Sequence, residues 1–224
     1  MNTSRKLLFG MVLSSLLLGA CTSKITSKTQ YSGFLENYED LHTVTTPSGE
    51  ESLRWTSPSW DPDAYDTVVF QQLELFPSPK PNERVDQATL DQLQAYMSKI
   101  TKKVLSQKYH LLANVDAVPA NARALELRVA ITGVSASNEG IKWYEVVPVA
   151  AVISGVGAAT GHRDQNTELY LEAELIDMQT SQTVAKVVRK AFGEQLKNAS
   201  QPITAQAFKG AIRALTNDLE VFLR

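Results

Sequence analysis

An α+β domain, with a mostly antiparallel β-sheet and two helices packed on one face, is the fold class the sequence predicts. Three observations predict it. Leu125, Leu127, Val129 and Ile131 alternate with Glu126, Arg128 and Ala130, and Leu169, Leu171, Ala173 and Leu175 alternate with Tyr170, Glu172 and Glu174. A period of two with one apolar side is the mark of half-buried antiparallel strands. Two other segments space their apolar residues three and four apart: Leu90, Leu93, Met97, Ile100 and Val104, then Phe208, Ile212, Leu215, Leu219 and Phe222. Each of those sets lies along one face of a helix. Between the second strand and its partner stands Asp177-Met-Gln-Thr180-Ser-Gln-Thr183, the chemistry of a hairpin turn.

Taken in order, the chain begins with an address. Arg5 and Lys6 precede an apolar run over 7–18, and Leu18-Gly19-Ala20-Cys21 follows. A basic start and about a dozen apolar residues make a secretory signal peptide, too short to anchor stably across a ~30 Å hydrocarbon core. Its end resembles the bacterial lipobox, in which a branched residue and two small ones precede a lipid-modified cysteine. Cys21 is the single cysteine of the 224 residues. An ordinary small residue in a plain signal peptide would leave the coincidence of charge, apolar run and small-small-Cys ending unexplained. Cys21 is therefore the expected lipidation site, with residues 1–20 as signal peptide. Several acyl chains hold a membrane firmly where one binds only marginally. Thr22 resembles the outer-membrane class of such lipoproteins, since an Asp there marks retention in the inner membrane. The expected location is the cell outer membrane, lipid-anchored and facing the periplasm.

Residues 21–30 are polar and of low complexity, a flexible lipidated tether. A single periplasmic domain is expected over 31–224. Tyr31, Phe34, Leu35, Tyr38 and Leu41 are spaced as one amphipathic helical face. A loop over 43–51 and a proline-punctuated stretch through Leu53, Trp55, Trp60 and Tyr65 lead into a strand expected over 67–75. Pro77, Pro79 and Pro81 end it by removing ladder donors. Asp86 is placed to cap the next helix, with Val85 and Leu90 as a hydrophobic staple and Lys99, Lys102 and Lys103 near its C-terminal dipole. A short strand over 109–115, the two alternating strands, a partner strand over 184–192 and the terminal helix complete the order. Phe208, Leu215 and Leu219 are expected to close the core.

Composition excludes several functions. With 22 basic and 24 acidic residues the net charge is −2, and no basic field is available to hold nucleic acid. Loss of Arg5 and Lys6 with the leader leaves 20 basic against 24 acidic residues, a charge of −4. One cysteine excludes a disulfide framework and a Cys-rich zinc site. His42, His110 and His162 each lack a His or Cys two to five residues on, so none begins a local metal pair, and His162-Arg-Asp164 reads as a solvated turn. Glu36, Glu39 and Asp40, and likewise Glu168, Glu172 and Glu174, are expected on exposed faces. No catalytic, cofactor or metal site is expected.

The segment most like a site spans 146–161, an apolar run feeding Gly155-Val-Gly157. It imitates a dinucleotide fingerprint, but Thr160 stands where a third Gly or Ala is required, and the next strand is too near for a crossover helix. Ser154 is not a nucleophile elbow, because Val152 replaces the first glycine. Two readings remain for the segment: a buried sheet element with a glycine turn, or a small-residue surface for self-association around Gly157 and Gly161.

The lipobox, Ser32-Gly33-Phe34-Leu35-x-x-Tyr38-x-x-Leu41, Tyr65-Asp66-x-Val68 and Asp177-x-x-Thr180 together resemble a family of bacterial lipoproteins, domain-of-unknown-function family 3313. Ser181 stands where a glycine would make the commoner hairpin turn. The resemblance implies no reaction. The function expected is a non-enzymatic interaction domain, monomeric in itself, that serves an envelope protein partner as an accessory factor in assembly, maintenance or transport. The alternatives are a subunit of an oligomeric secretion or assembly structure, and an enzyme whose site is assembled from distant residues.

Overall fold

A computed structural model describes residues 24–137, 165–198 and 200–224. The expected signal peptide over 1–20, Cys21, the 146–161 segment and His162 lie outside those described residues. Eight strands form one sheet in the order β1-β2-β8-β7-β6-β3-β5, with β4 also paired to β6. They are β1 (His42–Thr45), β2 (Glu51–Thr56), β3 (Thr67–Val69), β4 (Glu74–Leu75), β5 (His110–Leu112), β6 (Ala124–Ser137), β7 (Gln165–Asp177) and β8 (Gln182–Leu196). Helices α1 (Gln87–Leu105) and α2 (Lys209–Phe222) complete the fold.

The sheet is mixed, which corrects the mostly antiparallel expectation. The long strands β6, β7 and β8, with β2 and β1, pair antiparallel. The short strands β3, β4 and β5 run parallel to their neighbours. Parallel pairing follows from the connection: β3 returns to β5 and β6 only after the chain has passed through α1, and such a crossover is what parallel strands need. The strand expected over 67–75 is split into β3 and β4, and the one over 109–115 contracts to three residues.

Both helices share one core with the sheet. Leu90, Leu93, Met97 and Val104 of α1 and Ile212 of α2 are buried with Leu125, Leu127, Ile131, Leu169, Leu171 and Leu175. Asp86 caps α1 by accepting the Thr89 amide at 2.7 Å, and the staple residues Val85 and Leu90 are both buried. Phe208, in the 3-10 turn that leads into α2, is fully buried, whereas Leu215 and Leu219 are half-buried.

The helix expected over 31–41 is absent: the segment is an irregular arm. Gly33 and Asp40 take left-handed backbone angles (φ 84° and 62°), which an α-helix does not allow. The periodicity nevertheless marked burial correctly. Phe34 and Leu35 pack with Leu53, Ala130 and Val188 on the sheet face opposite the helices, and Tyr31, Tyr38 and Leu41 lie against them. Tyr31 and Tyr38 stack at 4.2 Å. The sheet is thus covered on both sides, by helices on one and by the arm on the other.

Candidate functional site

A transverse row of side chains crosses the helix-covered face. Pairing aligns Val129 of β6 with Ala173 of β7, Ala173 with Val187 of β8, and Val187 with Arg54 of β2. Ala173 is the small member, and all four are only half-buried. The rows beside it are filled by Leu127, Leu175 and Ala185 on one side and by Leu171 and Arg189 on the other. Met97 and Thr101 of α1 and Leu215, Leu219 and Phe222 of α2 stand over the row. They enclose a half-open cavity of about 160 Å³. An apolar void of ~150 Å³ is large enough to take a benzene-sized guest.

The two ends of the row differ. At the β2 end the Arg54 guanidinium lies 5.3 Å from the centre of the Phe222 ring, a cation–π contact. Phe222 in turn stacks on Trp60 at 5.3 Å, and Trp60 on Tyr65 at 5.9 Å. Among the described residues Arg54 has no ion pair. Alongside, Arg189 and Asp218 form a buried pair that also lines the cavity. Asp218 further accepts the Ser48 amide and hydroxyl, both at 2.7 Å. Burial disfavours its charge, but the Ser48 bonds and the guanidinium more than offset this and hold its carboxyl below the ordinary 3.8. The Nε of Arg189 is buried with no hydrogen-bond partner among the described residues.

The opposite face carries a polar layer under the arm. Glu172 accepts the Ser32 amide at 2.8 Å and the Tyr38 hydroxyl at 2.6 Å. Burial, reinforced by that hydrogen bond to Glu172, pushes the Tyr38 phenol up to about 12. Glu174 pairs with Arg128 at 2.7 Å, and Lys186 donates to Asn37 and to the Glu39 carbonyl. Glu168 accepts the Tyr170 hydroxyl at 2.7 Å and faces Lys190 at 3.7 Å. These contacts overturn the expected exposure of the three glutamates, which are all buried. The hairpin itself carried the missed signal. Glu174 is the direct cross-strand partner of both Arg128 and Lys186, and β8 offers Lys186 and Lys190 on the same face to an acidic β7. Complementary charges on facing strands mark a paired interior layer rather than a solvated face.

The residues of the family-like motifs come together as structure. The Tyr65 hydroxyl donates to Asp177 at 2.9 Å, and Arg123 lies over the Tyr65 ring while pairing with Asp177 at 3.5 Å. Asp177 also accepts the Gln179 and Thr180 amides that form its hairpin turn. His42 and His110 are exposed on separate strands. Among the described residues no three His, Cys, Asp or Glu side chains gather as metal ligands, and no helix is long and apolar enough to cross a membrane.

Comparison with known proteins adds the family. The chain is 42% identical over 207 residues to the uncharacterized lipoprotein YdcL of Escherichia coli K12, covering 92% of this chain and 91% of that one. Among solved structures it is similar to the PelC dodecamer from Paraburkholderia phytofirmans (13% identity, TM-score 0.39, 73% of this chain and 94% of that one). It is also similar to protein XCC0632 from Xanthomonas campestris (13% identity, TM-score 0.37, 75% of this chain and 88% of that one). The model of the family described as protein of unknown function DUF3313 matches residues 30–219, and with the lipoprotein relative it establishes that the chain belongs to that family.

Proposed function

We propose that the chain is an outer-membrane lipoprotein, anchored through acylated Cys21 and facing the periplasm. Its domain over 31–224 is a non-enzymatic binding domain, accessory to envelope assembly, maintenance or transport. The observation that carries the binding role is the half-open cavity. Its walls are aliphatic and aromatic side chains that can hold a guest, with a few charged groups at one end to orient it. The lipoprotein relative and the Leu18-Gly19-Ala20-Cys21 sequence support the anchor. Thr26 and Gln30 are already buried and Gln30 donates to the Tyr170 hydroxyl, so the domain begins before the expected tether ends and few residues separate it from Cys21 and the membrane. A charge of −4 after processing mildly opposes self-crowding, in keeping with a monomeric domain.

Two measurements test this reading. Cys21→Ser should abolish incorporation of labelled palmitate and release the protein from outer-membrane fractions; palmitate still entering the variant would refute the anchor. In vivo crosslinking of the wild-type lipoprotein in intact envelopes should trap one recurrent partner at a fixed stoichiometry. Light scattering that shows a stable ring or large oligomer would replace the binding domain with an assembly subunit.

A further inference from the structure

We propose that the cavity under α2 binds the acyl chain of a single-chain anionic amphiphile, with the chain along Val129, Ala173 and Val187 and the acidic head at Arg54. This deepens the binding-domain reading and rests on it. Three features of the row select that chemistry. Its length suits a chain: four adjacent strands spaced ~4.8 Å apart set the backbones of Arg54 and Val129 about 14 Å apart, and because the cavity of about 160 Å³ is only half-enclosed, a chain can lie along the row with part of its length outside the enclosed space. Its composition suits one too, since the floor is Val-Ala-Val and the roof is Met97, Leu215, Leu219 and Phe222, and apart from Arg54 the charged groups on that face, Arg189 and Asp218, neutralise each other. The hollow exists because Ala173 is small where its neighbouring rows carry leucine.

The charge at the β2 end is positive and, among the described residues, without an ion pair. Arg189 is neutralised by Asp218, whereas Arg54 lies over the Phe222 ring and has no ion pair among the described residues. The side chains of Glu174 and Lys186 are engaged with Arg128 and Asn37 beneath the arm, so neither supplies a counter-charge. A guanidinium in cation–π contact with a ring still has N–H donors for a carboxylate or phosphate oxygen. A neutral amphiphile would leave Arg54 without a counter-charge, and a cationic one would be repelled.

Photoaffinity labelling of the full-length lipoprotein in phosphatidylcholine nanodiscs tests this. The probes are a twelve-carbon fatty acid bearing a diazirine near its methyl end and the methyl ester of the same molecule. The acid should label peptides that carry Val129, Ala173, Val187 or Leu215, and dodecanoate should compete. Lauroyl lysophosphatidylglycerol competing more strongly than dodecanoate identifies a lysophospholipid as the source of the chain; the reverse order identifies a free fatty acid. Arg54→Gln should reduce labelling by the acid about tenfold, to the level of the ester. Ala173→Leu, which fills the hollow, should abolish labelling by both while the melting temperature holds or rises. Label spread over other peptides, equal labelling by acid and ester, or undiminished labelling of a folded Ala173→Leu protein would each overturn the proposal. Should labelling fail while the envelope crosslink persists, the amphiphile is refuted and the binding-domain reading stands; loss of both refutes the two together.

Discussion

Single positions set local geometry for different reasons, and two of them make opposite predictions. Ser181 closes the β7–β8 hairpin in a left-handed conformation, φ 56°, that L-residues adopt at a cost of ~1–2 kcal/mol. Ser181→Gly should therefore stabilise the protein by about 1 kcal/mol, read as a higher denaturant midpoint; an unchanged or lower midpoint would show that the serine is not strained. Gly193 in β8 has no such angle. A Cβ there would lie 2.5 Å from the Thr167 hydroxyl, 2.7 Å from the Ala207 carbonyl and 2.8 Å from the Phe208 ring. Gly193→Ala should cost ~1–3 kcal/mol, the penalty for overpacking a tight contact, and the same denaturation series measures it. Ser181 was readable in the sequence because Asp177 and Thr180 announce the turn around it. Gly193 was not, because what crowds it is a carbonyl and a ring brought in by the turn before α2.

Elements were legible where their pattern and their backbone answer to the same cause. In α1 the Asp86 cap, the Val85–Leu90 staple and the leucine stripe all specify a helix, and all are present. The 31–41 arm shows the limit: helical spacing reports which residues are buried, but the arm packs on the sheet by a path whose polar groups are met by Glu172 rather than by its own carbonyls. The polar interior beneath it was hidden because alternation of charge with leucine also describes a solvated face. Within α2 the apolar face is not uniform, and this makes a graded prediction. Ile212 is fully buried, so Ile212→Ala should cost ~2–5 kcal/mol. Leu215 overhangs the cavity and is half-buried, so Leu215→Ala should cost only about 1 kcal/mol. Equal losses in the two variants would show that the space beneath Leu215 closes in solution.

For the whole molecule, charges tie the covering layers to the sheet, and the ties respond differently to acid. Asp218 joins α2 to β8 through Arg189 and to the β1–β2 turn through Ser48. Its carboxyl is held below 3.8, as is that of Asp177, where hydrogen bonds from Thr180, Tyr65 and Gln179 outweigh burial. A carboxyl lowered on folding stabilises fully above its ordinary value and loses that contribution as pH falls below it. Burial raises Glu174 above its ordinary 4.5, an effect that Arg128 only partly opposes, so its contribution runs the other way and improves as pH falls. Wild type and Asp218→Asn share the Asp177 and Glu174 effects, so the difference between them isolates Asp218. At pH 7 the variant leaves Arg189 buried without a counter-ion and should be less stable by ~3 kcal/mol, the lower end for a broken buried pair because the amide still accepts from Ser48. Below its ordinary 3.8 the wild-type carboxyl starts to lose this advantage, and it takes up its proton and comes to resemble the amide only as pH falls through its lowered value. The gap between urea midpoints should therefore be the same at pH 7 and pH 4 and narrow progressively at pH 3 and pH 2, and a gap that stays constant down to pH 2 would remove Asp218 as the acid-sensitive tie between helix and sheet.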